Sequence, residues 1–214
     1  MSKPRAVRFT AIRPLLDRLP APLRRFAGSE QGVTAVEFAL VLPVFLLIML
    51  GCLEVPRFVM VYQKIARTSS GVADLVAQAD EPITGNQLQD IFIAGATMMQ
   101  PYDVINNGKI YVSSINNPTG TIELSWQRDN FGKMGSGSNL TNPATALPVT
   151  LRPAVGEEVL AAEVFFRYEP IFPTLIYEGS DLYMVSYTRP RNKNLKTPPS
   201  DPDCQVASKP KPSC

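Results

Sequence analysis

The chain has 214 residues, enough for one domain of ordinary size together with a membrane anchor. Its 21 basic and 19 acidic residues give a net charge of only +2, so the composition carries no electrostatic signature of a nucleic-acid partner. The absence of histidine removes the commonest general base and metal ligand, together with every Ser-His or Cys-His nucleophile arrangement. We therefore expect no enzyme activity, no cofactor and no metal site.

Residues 1–32 form a basic leader rich in proline. The leader contains seven lysines and arginines but only two acids, and this excess of positive charge predicts that it stays in the cytoplasm. The prolines argue against a long helix, so we expect a mostly irregular segment. The part of the chain beyond the membrane anchor is then expected in the periplasm or outside the cell.

An apolar run follows from Val33 to Leu53. Its 21 residues would span about 31 Å as a helix, which matches the hydrocarbon core of a bilayer. We predict a single transmembrane helix over residues 33–55, bent but not broken at Pro43. The run contains one acid, Glu37, which costs roughly 2.5–3.5 kcal/mol at a bilayer centre and less near an interface. Such a cost indicates a functional role.

The order of these features resembles the processing site of type IV prepilins: a basic leader, Gly32, four small or apolar residues, Glu37, Phe38 and an apolar helix. The resemblance implies that a prepilin peptidase cuts between Gly32 and Val33. In that family the glutamate can neutralise the α-amino group of a neighbouring subunit, which buries both charges as a pair. The alternative is that nothing cuts the chain and that Glu37 reaches the cytoplasmic edge of the membrane.

A longer stretch, Gly32 to Pro43, resembles the N-terminal signature of TadE-like proteins, the minor pilins or pseudopilins of the Tad (Flp, type IVc) pilus machinery. Residues 62–64 and the helix after them are similar to that family's post-membrane helix, and residues 164–173 and 183–191 resemble its closing strands. The large head and the Glu37-Phe38 pair favour a minor subunit over the pilus shaft. The resemblance implies a role in pilus assembly at the bacterial inner membrane. Its implied partners are other pilin subunits and the Tad secretion machinery, with surface adhesion downstream.

Two helical segments are predicted in the head. A stripe of apolar or small residues continues the first helix to about Gln78. It consists of Phe58, Tyr62, Ile65, Ser69, Val72 and Val76. After a turn over residues 80–85, a shorter helix is predicted from about Asn86 to Met99, ended by Pro101. Its buried side is expected to hold Leu88, Ile91, Phe92, Ala96 and Met99, and Met98 is also expected in the core.

The remaining head alternates with a period of two and predicts four strands. They are Lys109–Ile115, Thr121–Gln127, Glu157–Tyr168 and Leu182–Thr188. The first two are expected to pair as an antiparallel hairpin that places Ile122, Leu124 and Trp126 on one face. The predicted fold class is α+β and pilin-like. It has a long N-terminal helix, a second shorter helix and a small antiparallel sheet of about four strands, with the head over residues 56–191.

Several polar features of the head have a plain structural interpretation. The carboxylates of Glu157, Glu158 and Glu163 are expected on a solvated strand face, and not in an active site. Residues 135–138, Gly-Ser-Gly-Ser, are expected to be a flexible spacer, because no Gly-Lys-Ser follows as in a phosphate-binding loop.

The three cysteines differ in setting. Cys52 lies in the apolar run and is expected to be a small buried residue. A lipoprotein is the alternative there, because Met49 to Cys52 approximates a lipobox, but that stretch lies far from the start of the chain. Cys204 and Cys214 lie in a Pro- and Lys-rich tail over residues 192–214, and we expect a small-loop disulfide between them in an oxidising periplasm.

Two functions from different classes remain open from the sequence. One is a processed minor pilin. The other is an uncleaved, signal-anchored periplasmic scaffold or binding protein of the secretion machinery.

Overall fold

The computed structural model describes residues 30–79, 83–130, 132–172 and 179–191. The helices are α1 (Glu30–Ala77), α2 (Gly85–Met99), α3 (Val104–Asn107) and α4 (Pro143–Ala146), and a 3-10 turn covers Val149–Leu151. The strands are β1 (Gly108–Asn116), β2 (Glu123–Asp129), β3 (Glu158–Tyr168) and β4 (Ser180–Thr188). The predicted α+β class is confirmed. The helical turns α3 and α4 were not predicted.

The chain divides into two units at Leu53 and Glu54. The described part of the first unit is the N-terminal portion of α1, in which every side chain from Val33 to Met49 is exposed. Of the residues that the structure describes, one helix, Val33–Ala77, is long and apolar enough to cross a membrane. Pro43 lies within α1, so the prediction that it would not break the helix is confirmed.

In the second unit, α1 buries one stripe against the head. The stripe holds Val61, Ile65, Val72 and Val76, and Phe58 packs against its edge. The prediction was wrong for Tyr62, whose side chain is 46% exposed. Two neighbouring residues of a helix point about 100° apart, so the core takes Val61 and leaves Tyr62 outside.

Helix α2 begins with a capping box. The Thr84 hydroxyl accepts the backbone N–H of Gln87, and the Gln87 side chain accepts the backbone N–H of Thr84. Its buried side holds Leu88, Phe92 and Met99, as predicted. Ile91 and Ala96 pack against the core only in part. Met98 is 40% exposed, so its predicted burial was wrong.

The four strands form one antiparallel sheet in the order β2-β1-β3-β4. The predicted β1–β2 hairpin is confirmed, but it contains an irregularity. Ser114 lies opposite Trp126 and Ile115 opposite Leu124, so Ser125 is an extra residue on β2. A bulge of this kind reverses the alternation of side chains. Trp126 therefore faces the helices while Leu124 faces the other side of the sheet, which corrects the prediction of a shared face.

The sheet is covered on both faces. The helices pack on the face that carries Leu160, Ala162, Val164, Phe166 and Tyr168 of β3, as the alternation predicted. On the opposite face, Leu140 and Leu147 pack with Ile115 and Ala161. Both leucines belong to the connection between β2 and β3, so this long loop folds back as a lid over the second face.

Candidate functional site: the apolar helix and the buried acids

The predicted processing residues lie at the start of α1. Gly32 and Val33 are in its first turn, and Glu37 follows one turn after Val33. Residues four apart lie on the same side of a helix, so Glu37 and Val33 share one face. The Glu37 side chain is exposed, and among the described residues it has no ion-pair partner.

The surface around Glu37 is almost entirely apolar. The side chains of Val36, Phe38, Leu40 and Val41 are each at least 60% exposed, and large exposed apolar side chains continue to Leu53. A surface of this size calls for a bilayer or other subunits as its cover. Cys52 is also exposed on this surface, so its expected burial would have to come from that cover and not from this chain. Cys204 and Cys214 lie outside the described residues.

Glu54 is an acid whose role the sequence analysis missed. It lies directly after the apolar run, yet it is only 3% exposed. Its carboxylate accepts hydrogen bonds from the hydroxyl of Tyr168 and from the backbone N–H of Ile171, the latter at 3.1 Å. The available signal was its spacing, because Glu54 precedes Val61 by seven residues and so falls on the buried stripe of α1.

Two further contacts surround Tyr168, the last residue of β3. The ring of Phe58 meets the Tyr168 ring edge-on, with centroids 5.3 Å apart. The guanidinium carbon of Arg57 lies 5.7 Å from the centre of the same ring. Glu54, Arg57 and Phe58 of α1 therefore all contact Tyr168. This one tyrosine joins α1 to the end of β3 through its hydroxyl and its ring.

Glu163 lies on the second face of the sheet and is fully buried, which contradicts the prediction of a solvated face. Its carboxylate accepts the Ser138 hydroxyl, the Asn139 backbone N–H at 3.0 Å and the Tyr183 hydroxyl at 3.0 Å. Two of these donors belong to the β2–β3 connection, so the predicted flexible spacer is tied to the sheet at Ser138. The backbone carbonyl of Ser136 is also bound, by the Tyr111 hydroxyl at 2.9 Å.

The environment of Glu163 alters the titration of its tyrosine neighbours. Burial raises the pKa of Tyr183 above its ordinary value, and the negative charge of Glu163 raises it further. The same two causes raise the pKa of Tyr187. The Tyr183 phenol therefore stays protonated as a donor to the carboxylate.

The other two predicted surface acids differ from each other. The Glu157 side chain is 41% exposed and lies 3.4 Å from the Arg189 guanidinium, so its predicted exposure to solvent is confirmed. Glu158 is only 5% exposed and accepts the Ser114 hydroxyl, so its predicted exposure was wrong. Glu158 is the first residue of β3 and is on the same face of the sheet as Leu160, which the helices cover. The Ser114 hydroxyl supplies its hydrogen bond there.

A partly buried ion pair joins β1 to β2. Lys109 Nζ lies 2.8 Å from the Asp129 carboxylate. Burial alone would lower the pKa of Lys109, but the hydrogen bonds and charge interactions with Asp129 and Tyr111 together outweigh it and raise that pKa. Because Glu54, Glu163 and Asp129 each accept donors from another segment, they act as fixed acceptors that hold the head together.

Among the described residues, one long apolar helix is exposed over its first half, and its second half packs within the α+β head. Residues 32–74 match the family model described as TadE-like protein. This match confirms the predicted TadE-like resemblance over the start of α1, the apolar run and the first part of the packed helix. A TadE-like segment implies involvement in a Tad pilus system. No curated protein and no solved structure shows significant similarity to the chain.

Proposed function

We propose that this chain is a minor pilin or pseudopilin that supports assembly of a Tad type IVc pilus and, through the pilus, surface adhesion. The observation that carries the proposal is the exposed apolar surface from Val33 to Met49 with one acid, Glu37, one turn after Val33. Inside a membrane or a filament that acid needs a positive partner. Cleavage after Gly32 creates one, because it frees the α-amino group of Val33 on a neighbouring subunit.

The proposal assigns a place to each part of the chain. Residues 1–32 are a cytoplasmic leader, residues 33–55 cross the inner membrane once, and residues 56–191 form the periplasmic head that enters the pilus. Residues 192–214 are a tail with a disulfide between Cys204 and Cys214. The partners are the prepilin peptidase, other pilin subunits and the Tad secretion machinery.

N-terminal sequencing of the membrane-extracted protein tests the proposal, in cells with and without the prepilin peptidase. We expect a chain that begins at Val33 only where the peptidase is present. Gly32→Val should block that cleavage. Gly51→Val is the matched control, because a Cβ at Gly51 meets no atom within 4 Å, and it should be processed normally. The same N-terminus in both strains would refute processing.

The second candidate function is an uncleaved periplasmic scaffold anchored by α1. It is favoured by the position of the Gly32-Val33 bond inside α1, because peptidases cut extended chain and not intact helix. An uncleaved scaffold would retain its basic leader in the wild-type strain.

The disulfide in the tail has its own test. Masses of the purified protein before and after reduction and alkylation give the number of free thiols. We expect one free thiol in the oxidised protein, that of Cys52, and three after reduction. Three free thiols without reduction would exclude the Cys204–Cys214 bond.

A further inference from the structure

The loop that follows β3 exposes two large apolar side chains close to the end of the apolar run. Ile171 is 50% exposed and Phe172 is 36% exposed, although Pro170 beside them is buried. Neither belongs to the core of the head. Large apolar residues left out of a core beside a membrane anchor are candidates for contact with lipid.

The position of this loop along α1 is fixed by hydrogen bonds. The Ile171 backbone N–H donates to Glu54 at 3.1 Å, and Tyr168 donates to the same carboxylate. Glu54 is the first residue after the apolar run, so the loop is held at the level where that run ends.

The surface of α1 just beyond Glu54 is also apolar. Val55 is 62% exposed and Val59 is 43% exposed. At about 1.5 Å per residue, Val59 lies about 9 Å beyond Leu53 along the helix. The exposed apolar surface of α1 therefore continues past Glu54 as far as Val59.

We propose that Ile171 and Phe172 form a membrane-contact site on the head, whose ligand is the boundary between the headgroups and the acyl chains of the bilayer. Aliphatic and aromatic side chains are favoured at that depth. Arg57 lies one turn beyond Glu54 and places a cation at the level of the lipid phosphates. The exposed carboxylate of Glu169 limits penetration to the two apolar side chains. The proposal rests on the membrane anchor of the proposed function.

Tryptophan quenching by brominated lipid tests this site in the full-length protein. The protein is reconstituted at low density in vesicles of zwitterionic phosphatidylcholine. The lipid carries bromine near the headgroup end of the acyl chain to probe residues 171, 172 and 155, and near the bilayer centre to probe residues 45 and 155. Phe172→Trp is the main probe and Ile171→Trp the second. The only native tryptophan, Trp126, is buried, so each probe is read as the difference from wild type. Phe45→Trp reports on the anchor, and Val155→Trp, at a position 66% exposed on the head, is the control.

We expect quenching at residues 171, 172 and 45, at least twofold stronger than at residue 155. Quenching at residue 45 with none at 171 or 172 would overturn the contact site and leave the anchor intact. Equal quenching at 155 and 172 would also overturn it, because the head would then touch lipid without preference for this loop. An unquenched residue 45 would remove the membrane anchor, and the contact site would fall with it.

Discussion

The carboxylate of Glu54 accepts a hydrogen bond from the hydroxyl of Tyr168, a residue 114 positions later in the chain. The same carboxylate accepts the backbone N–H of Ile171. One buried side chain of α1 thus fixes both the end of β3 and the loop after it. The two donors would lose their acceptor if the carboxylate were removed.

We predict that Glu54→Leu destabilises the head by about 1–3 kcal/mol, because the buried Tyr168 hydroxyl loses this acceptor and an unsatisfied buried donor costs roughly that much, whereas water can reach the more exposed Ile171. Urea unfolding of the full-length protein in detergent, followed by circular dichroism, measures this loss. Glu123→Leu is the matched control. Glu123 is exposed at the start of β2, so its replacement should change the free energy of unfolding by less than about 0.5 kcal/mol. Equal losses in both variants would contradict the role of the Glu54 hydrogen bonds.

We predict that stability falls above about pH 10 and that Tyr183→Phe weakens this fall. Burial and the charge of Glu163 raise the native pKa of Tyr183 above its model-compound value of 10.0. The unfolded chain therefore loses this proton at a lower pH than the native chain does. Stability is fully present below pH 10 and is lost as the pH rises toward the native pKa.

Urea unfolding at about pH 9 and about pH 11 measures this effect, one condition on each side of the ordinary tyrosine pKa. The wild type should lose more stability between the two conditions than Tyr183→Phe does. Tyr187 keeps its raised pKa in the variant, so part of the fall should remain. Identical losses in the two proteins would show that Tyr183 does not contribute to the pH dependence.

Two helical glycines should respond in opposite ways to alanine. A Cβ at Gly95 would lie 2.8 Å from a methyl of Val72 and 3.1 Å from Ile110, both in the core. A Cβ at Gly71 would meet only the flexible end of Met98. We predict that Gly95→Ala destabilises the head by about 1–3 kcal/mol through overpacking. Gly71→Ala should be neutral, or stabilising by up to about 1 kcal/mol, since alanine favours the helix.

Thermal unfolding of the two variants side by side measures the difference. Both changes add one methyl group to a helix, so their helix propensities cancel in the comparison. A similar melting temperature for both variants would mean that the core around Gly95 can relax, which would contradict the close packing of α2 on Val72 and Ile110.

The elements of the head were largely predictable, because their periodic patterns are long. The stripe of α1 and the alternation of β3 both follow from residues that recur at fixed spacing, and the structure buries Ile65, Val72 and Leu160 as expected. The bulge at Ser125 was not predictable. Serine carries no signal for an extra strand residue, and only the pairing with β1 shows the change of register.

The buried acids could not be predicted for a different reason. Alternation shows which side of a sheet a residue faces, but it does not show what covers that side. Glu163 is on the side opposite the helices, where water was expected, and the connection between β2 and β3 covers it with Leu140 and Ser138. A loop rich in glycine and serine gave no indication that it would fold back, because its burial depends on contacts far apart in sequence.

We predict that Glu37→Leu leaves membrane insertion intact and lowers incorporation into filaments more than tenfold. Leucine is at least as favourable as glutamate in the bilayer, so insertion should continue. The α-amino group of Val33 on the neighbouring subunit would lose its partner. An uncompensated buried charge costs about 3–5 kcal/mol, and each 1.4 kcal/mol corresponds to about tenfold in an equilibrium.

Quantitative immunoblots of membranes and sheared filaments measure both quantities in one culture. Glu37→Asp is the control, because it keeps the negative charge at the same position and should retain most of the incorporation. The comparison separates charge from side-chain length, since only the leucine variant removes the carboxylate. Normal incorporation of Glu37→Leu would contradict charge pairing and would favour an anchor whose acid lies at the cytoplasmic edge of the membrane.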